Sequence, residues 1–259
     1  MSEHLLHPFP GLRPAPGAAA DVAAPPYDVV SFDEAAAMAD GRPWSFLHVS
    51  RPEIDLPPGT DSHADEVYAK GASNLAAMIE AGVLIRDEAP SYYVYRIIMG
   101  DHSQTGLVAA TPVDAYLKNI VRKHEFTRPD KEDDRVRQID EVDAQTGPVL
   151  VVHQPQPAIS AILKEVTAKD PTYDVTQPDG VRHIVWAVTV PADVQRVADA
   201  YAPVDVLYIA DGHHRSAAAA RVAALREGRD GVTDAHERFL IVAFPTDELH
   251  ILDYNRVIK

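Results

Sequence analysis

Five residues suited to binding or catalysis occupy one turn of the chain: Asp211, Gly212, His213, His214 and Arg215. The short apolar run over 204–209 precedes them and predicts a buried strand. An alanine-rich segment of high helix propensity follows them. The five residues therefore stand at a strand-to-helix turn. Because a helix N-terminus has unpaired N–H groups and a partial positive charge, this position favours an anion, above all a phosphate.

Each residue of this turn has a chemistry that suits such a site. Gly212 lets a ligand approach the backbone without a Cβ in the way. Arg215 is able to bind phosphate oxygens through two parallel hydrogen bonds, and His213 and His214 share its helical turn. Asp211 is a candidate ligand for a metal ion or a substrate hydroxyl. The turn predicts a phosphate-binding site with Asp211 as metal ligand.

Two other interpretations of the turn stay open. In one, Asp211 only caps the helix and the histidines are surface residues. In the other, the histidines bind zinc. Adjacent helical residues point about 100° apart, so His213 and His214 do not easily share one metal ion. The number of polar residues in a single turn after an apolar strand favours the phosphate site.

A second charged cluster covers residues 122–135. We predict a loop over 123–128, after a short strand, and a helix that begins at Pro129. A solvated charged helix is the usual meaning of such a run. Glu125, however, is a carboxylate between basic groups and is a candidate general base. The pair His124-Glu125 lacks the second histidine of a zinc protease motif, which excludes that class.

A third candidate lies near the N-terminus, where Pro25 and Pro26 precede Tyr27 and Asp28. A diproline stiffens the segment and presents Asp28 in a fixed direction. The alternative is a surface arm that Tyr27 packs onto the protein. The sequence leaves both interpretations open.

The periodicity of the chain indicates which elements must position these residues. It predicts a β-hairpin around the turn 100–103 and a mixed α/β fold. The predicted helices are 32–39, 62–81, 129–144, 157–168 and 191–202, and the other predicted strands are 44–49, 92–99, 104–113, 149–153, 173–175, 183–190, 238–244 and 250–257. Because the chain ends on a strand without a cap, we expect an N-terminal portion of a longer protein. Its uncovered edge would allow a homodimer.

Composition narrows the class of function. Of the 259 residues, 46% are hydrophobic and 24% are charged, as in an ordinary globular protein. The net charge of −15 argues against a nucleic-acid partner. The absence of cysteine excludes disulfides, thiolate zinc sites and cysteine nucleophiles. No apolar run indicates a signal peptide or a membrane span. A cytoplasmic enzyme acting on small molecules fits these limits, as does an interaction domain.

Eight sequence blocks, in this order, are similar to the bacterial "domain of unknown function 1015" family: GLRP (11–14), APPYDV (24–29), SFLHVSRPE (45–53), TGLVAA (105–110), KHEFTRPDKEDDRVRQI (123–139), AQTGP (144–148), IADGHHRSAA (209–218) and LDYNRVIK (252–259). The resemblance extends over nearly the whole chain. Members of that family continue past this C-terminus, which agrees with the expected truncation.

The Asp-Gly-His-His-Arg turn also resembles the phosphate-binding motif of the ParB/sulfiredoxin-like fold, and most closely that of free L-serine kinases. This resemblance implies a ParB-like core over 111–259, which follows an N-terminal α/β segment over 1–110. It also implies nucleotide phosphates held by residues 211–215. It further implies ATP or ADP with Mg²⁺, and Glu125 as catalytic base together with Asp211. The candidate substrate-binding residues are His124, Arg128, Lys131 and Asp28.

The chain also departs from the kinase pattern. The two motifs lie further apart than in a compact kinase, so residues 140–200 would be an insertion. The Pro-Lys-Thr-Thr segment of those kinases has no counterpart here. Sulfiredoxin chemistry is excluded because cysteine is absent, and DNA partition of the ParB type is disfavoured by the negative charge.

These observations predict a small-molecule kinase that phosphorylates free serine or a similar hydroxy amino acid. The first alternative is a nucleotide-binding regulatory or scaffold module without catalysis. The second is a phosphohydrolase that uses His213 or His214. A catalytic pair requires Glu125 to lie near Asp211, whereas a binding module does not.

Overall fold

The computed structural model describes residues 4–229 and 233–250. The strands are β1 (Leu12–Pro14), β2 (Leu84–Arg86), β3 (Tyr92–Met99), β4 (His102–Pro112), β5 (Val121–Arg122), β6 (Val149–His153), β7 (Tyr173–Thr176), β8 (Arg182–Val188), β9 (Leu207–Asp211) and β10 (Arg238–Pro245). The α-helices are α1 (Ala19–Val22), α2 (Phe32–Ala39), α3 (Leu47–Ser50), α4 (Asp65–Glu80), α5 (Val113–Leu117), α6 (Pro129–Val142), α7 (Pro157–Thr167), α8 (Pro191–Tyr201) and α9 (His213–Arg226). Short 3-10 helices cover Pro52–Asp55, Asp234–Glu237 and Thr246–Glu248. The predicted mixed α/β class is confirmed.

One mixed sheet organises the protein, with the strand order β5-β9-β6-β10-β4-β3-β8-β7. The pairs β5–β9 and β6–β10 are parallel, and the remaining neighbours are antiparallel. The predicted hairpin is the β3–β4 pair, in which Met99 lies opposite His102. A separate two-stranded sheet joins β1 to β2.

Alternate residues of the central strands bury one face of the sheet. This face and the helices against it form the main apolar cluster, which includes Val149, Val151, Leu207, Ile209, Phe239, Ile241, Ile159, Ile162, Val197 and Tyr201. Period-two burial is the pattern expected of strands with one face packed on helices. Removing these side chains from water supplies the main driving force for the fold.

Helix α6 lies between α4 and α9 and links the N-terminal segment to the sheet. Its Val142 packs in the cluster that contains Leu75 of α4, and its Val136 packs against Val222 of α9. Arg221 and Arg226 of α9 add ion pairs to the acidic face of α6. Part of the charged run over 122–135 therefore forms ion pairs with α9, and the run is not solvated along its whole length.

The prediction of a strand over 44–49 is wrong. Residues 47–50 form α3 instead, and the amide of Asn74 donates a 2.7 Å hydrogen bond to the carbonyl oxygen of His48 at its end. The alternating pattern arises because Leu47 and Val49 are both buried between neighbouring elements. The predicted strand 250–257 lies outside the described residues, apart from His250. The division at residue 110 stays a prediction, since strands from both sides of it share the large sheet.

Candidate functional site

The turn between β9 and α9 is held by a glycine conformation. Gly212 has φ +95°, in the left-handed region, and is the N-cap residue of α9. A Cβ at this position would lie 3.2 Å from Val149 Cα. No side chain caps the helix, and the first N–H groups of a helix have no intrahelical acceptor. The interpretation of Asp211 as the helix cap is therefore wrong, and the first turn keeps the donors that an anion requires.

Arg215 links this turn to a neighbouring segment through hydrogen bonds. Its guanidinium donates one hydrogen bond to the carboxylate of Asp211 and another to the carbonyl oxygen of Pro148. Only some of its five N–H donors are used in this way, so others remain for a ligand. Arg215 thus fixes the end of β9 against the segment that leads into β6.

The loop over 123–128 reaches the turn because β5 pairs in parallel with β9. His213 is buried, and its Nδ1 lies 3.5 Å from Oε2 of Glu125. Its Nε2 lies 3.5 Å from the backbone nitrogen of His124, and the two imidazole rings meet edge to face with centroids 4.4 Å apart. Residues predicted separately from two motifs are therefore in contact. The side chain of Glu125 stays 59% exposed.

Burial lowers the pKa of His213 below its ordinary value of 6.5, and the neighbouring His124 and His214 lower it further. Glu125 and Asp211 act in the opposite direction. At neutral pH His213 is consequently a neutral imidazole with both predicted catalytic carboxylates close enough to influence it. The interpretation of the histidines as surface residues is wrong for His213.

His214 contacts the far end of the same loop. The backbone N–H of Arg128 donates to His214 Nε2 over 3.1 Å. The guanidinium of Arg128 turns to the neighbouring Asp130, at 2.7 Å, and the side chain of Lys131 is exposed on the first turn of α6. His124 and Arg128 lie near the two ends of the loop and Lys131 follows it, and all three residues are exposed.

The diproline segment lies on the same side of the molecule. The Arg135 guanidinium stands 4.0 Å from the centroid of the Tyr27 ring, and Arg51 donates to the carbonyl oxygen of Tyr27 at 2.9 Å. Burial raises the pKa of the Tyr27 hydroxyl, while the positive charges of Arg135 and Arg215 lower it. Asp28, the next residue, is exposed. Tyr27 therefore packs the segment onto the protein between α6 and the N-terminal helices, as the surface-arm interpretation predicts, while Asp28 is exposed beside it.

The sequence interpretation missed three residues that build this site: Arg51, Arg135 and Pro148. Each lies in a sequence block already used for the family resemblance, but its role depends on a contact that is distant along the chain. An arginine beside an aromatic or a carbonyl oxygen leaves no signal in local periodicity.

In the described part of the chain, no three His, Asp or Glu side chains form a group that could hold a metal ion. Asp211, the predicted metal ligand, therefore belongs to no such group and would offer a metal ion a single carboxylate. Two cavities, of about 490 and 360 Å³, lie elsewhere and share His48 and Asp55 in their walls. Among residues 4–229 and 233–250, none of the helices has the length and hydrophobicity needed to span a membrane.

The family model described as "Protein of unknown function (DUF1015)" matches residues 6–259. Neither the curated proteins nor the solved structures contain a significant match to the chain.

Proposed function

The chain belongs to the DUF1015 family, and from its site we propose that it transfers a phosphoryl group from a nucleotide to the hydroxyl of free serine or a similar amino acid. One observation supports this most: the exposed carboxylate of Glu125 lies beside His213. His213 belongs to the first turn of α9, which no side chain caps. A candidate base and a candidate phosphate site, distant in sequence, are thereby adjacent. In the same proposal, residues 111–259 form a ParB-like core and the protein works in the cytoplasm.

Phosphoryl transfer needs little covalent help from a protein. It needs a phosphate site, charge neutralisation and a group that orients the attacking hydroxyl. The N–H groups of residues 213–215 and the unused donors of Arg215 suit the phosphates of ATP or ADP. These donors point from a fixed turn, because Gly212 and the Arg215–Asp211 ion pair hold it.

The chemistry of Asp211 fits Mg²⁺. This ion prefers oxygen ligands and is usually held by one or two carboxylates together with substrate phosphates and water. The side chain of Asp211 is 71% exposed and stands at the end of β9, next to the proposed phosphate site. Bound there, Mg²⁺ would neutralise charge on the phosphates.

Glu125 then acts as the base. Its carboxylate accepts the proton of the acceptor hydroxyl while the oxygen of that hydroxyl forms a bond to the terminal phosphorus. The bond from phosphorus to the bridging oxygen breaks, and the shortened nucleotide leaves with the electron pair. The products are a phosphorylated amino acid and ADP, or AMP if ADP is the donor.

The charges near the loop suit an amino acid acceptor. Asp28 is exposed on a fixed segment and matches an ammonium group. Arg128 and Lys131 are exposed at the start of α6 and match a carboxylate. The helix N-terminus of α6 adds a further attraction for the carboxylate.

A regulatory nucleotide-binding module without catalysis is the second candidate. The ion pair between Arg215 and Asp211 favours it, because the guanidinium already neutralises the carboxylate proposed as the Mg²⁺ ligand, while the remaining donors of the turn are sufficient for phosphate binding. A phosphohydrolase has less support. His213 Nε2 faces the His124 amide, so its lone pair is engaged rather than free for attack.

The test is phosphoryl transfer by the purified protein. ATP and ADP are offered with Mg²⁺ to a panel of free amino acids, and products are followed by phosphorus NMR. We expect a phosphorylated hydroxy amino acid with wild type and a yield about 10²–10⁴-fold lower with Glu125→Gln. Glu88→Gln, at an exposed carboxylate elsewhere, is the matched control. Nucleotide binding without product in wild type would favour the regulatory module.

A further inference from the structure

Two histidines of α9 hold the ends of the 123–128 loop. The N–H of His124 faces His213 Nε2 at 3.5 Å, and the N–H of Arg128 donates to His214 Nε2 at 3.1 Å. We infer that His213 and His214 are positioning residues for this loop and not ligands of the nucleotide phosphates. The catalytic part of this inference rests on the proposed function, whereas the structural part does not.

The donor and acceptor inventory supports this assignment. A neutral imidazole carries one N–H donor and one acceptor nitrogen. If His213 accepts from the His124 amide at Nε2, its proton is on Nδ1, the atom that faces the Glu125 carboxylate. One tautomer therefore satisfies both contacts. A histidine that served a phosphate as a cation would have two donors and would lose the contact with the amide.

His214 has the same arrangement at the other end. Its Nε2 accepts from the amide of Arg128, which is the N-cap residue of α6. This contact fixes the end of the loop and the start of the helix together. A side chain whose acceptor nitrogen is bound to backbone within the protein is poorly placed to bind phosphate through the same atom.

The two contacts lie on either side of the loop's centre. Between them stand Glu125, Phe126 and Thr127. Phe126 is 99% exposed, and the hydroxyl of Thr127 donates a hydrogen bond to the carboxylate of Glu132 in α6. Phe126 supplies no packing, so the orientation of Glu125 depends on the bonds of the flanking residues, which include the two histidine contacts. Positioning a catalytic group in this way affects the rate more than ligand affinity, because a small displacement of the base spoils its alignment.

Amide hydrogen exchange measured by NMR on the protein without nucleotide tests the structural part. His214→Leu removes the acceptor, and we expect the Arg128 amide to exchange about tenfold faster or more, because local opening no longer breaks a hydrogen bond. His214→Gln keeps an acceptor oxygen and should restore most of the protection. Phe126→Ser, an exposed residue of the same loop, should leave the Arg128 amide unchanged. His214→Ala is the second acceptor-free variant should the leucine variant fail to fold. Unchanged exchange in a folded acceptor-free variant would overturn the inference.

Kinetics tests the catalytic part. We expect His214→Leu to lower kcat by about tenfold or more while KM for the nucleotide stays within about threefold, with partial recovery in His214→Gln. Weakened binding of inorganic tripolyphosphate to His214→Leu, with kcat intact, would instead show a phosphate ligand and overturn the inference. If the wild type phosphorylates no acceptor, the proposed function fails, and the exchange result still decides the positioning role.

Discussion

Two histidine–carboxylate pairs in this protein are held in different ways. In the N-terminal segment, His48 Nδ1 lies 2.8 Å from Asp55 Oδ1, and Asn74 donates to the other carboxylate oxygen at 2.7 Å. His48 Nε2 lies 3.1 Å from the carbonyl oxygen of Arg42. Near α9, His213 Nδ1 lies 3.5 Å from a carboxylate oxygen of Glu125, and the carboxylate is 59% exposed rather than 21% as at Asp55.

Asp55 belongs to a hydrogen-bonded network within the fold, whereas the carboxylate of Glu125 is largely open to solvent. Both oxygens of Asp55 are bonded to neighbours that fix α3 against α4, so its charge serves the fold. Glu125 makes one long contact, so under the proposed function its carboxylate keeps lone pairs for a substrate. The two cavities lie beside the His48–Asp55 network, whereas the predicted site residues lie on an exposed surface near α9.

The largest expected effect is on turnover. Glu125→Gln keeps the shape of the side chain but removes its basicity, so we expect phosphoryl transfer to fall by about 10²–10⁴-fold, the usual contribution of a general base. Asp55→Asn should leave the turnover of folded protein within about twofold. Steady-state kinetics on the two variants measures both. Equal losses of turnover in Glu125→Gln and Asp55→Asn would contradict the distinction between the two histidine–carboxylate pairs.

The next effect concerns two glycines, one near each pair. Gly212 and Gly41 both have positive φ, but only at Gly212 would a Cβ crowd another backbone, 3.2 Å from Val149 Cα. We expect Gly212→Ala to lower the free energy of unfolding by about 2–3 kcal/mol, and Gly41→Ala by about 1 kcal/mol from backbone strain alone. Urea denaturation monitored by circular dichroism compares them. A smaller loss at Gly212 than at Gly41 would contradict the crowding argument.

A smaller difference is expected between Asp55 and Glu125 in how much their substitution changes the free energy of unfolding. Asp55→Asn places an amide donor against the Asn74 amide or the His48 ring, so we expect a loss of about 1–2 kcal/mol in the free energy of unfolding. Glu125→Gln should change that energy by less than about 0.5 kcal/mol, since the side chain is exposed. Together with turnover, the two variants should therefore show opposite patterns. Chemical denaturation at pH 7.5 tests this, and a large stability loss in Glu125→Gln would refute it.

The smallest effect is on pH dependence. Burial lowers the pKa of His213 and also of His153 below 6.5. The unfolded chain then binds these protons more readily than the folded protein, so the stabilisation is complete above pH 6.5 and is lost as the pH falls below it. We expect at most about 1 kcal/mol for each histidine between pH 6.5 and 5.5.

Denaturation curves at pH 7.5 and 5.5 measure this dependence. His153→Leu should reduce the difference between the two pH values, because the buried site no longer titrates. His102→Leu serves as the comparison at a less buried histidine. An undiminished pH dependence in the His153 variant would show that other groups cause it.

Much of the fold follows from local pattern. The predicted strand 149–153 and helix 32–39 coincide with β6 and α2, and the turn from β9 to α9 lies where the apolar run meets the alanines. These elements could be predicted because burial on one face imposes a period of two or 3.6 residues on the sequence. The strand predicted over 44–49 failed because a short buried helix shows no such period clearly. The elements that pack around residues 47–50 determine that these residues form a helix, and the local sequence alone does not.

By itself, the sequence determined the membership of one family and supplied the candidates for the chemistry, which are the Asp-Gly-His-His-Arg turn and the Lys-His-Glu loop. Only the tertiary structure decided what each side chain touches. The parallel pairing of β5 with β9 places Glu125 at His213, and the packing of α6 on α9 places Arg128 at His214. Arg215 meets the carbonyl oxygen of Pro148 because β6, which begins at the next residue, pairs with β9. Local sequence specifies torsion angles and exposed faces, whereas contacts between distant segments arise from the sheet order and helix packing that all segments form together.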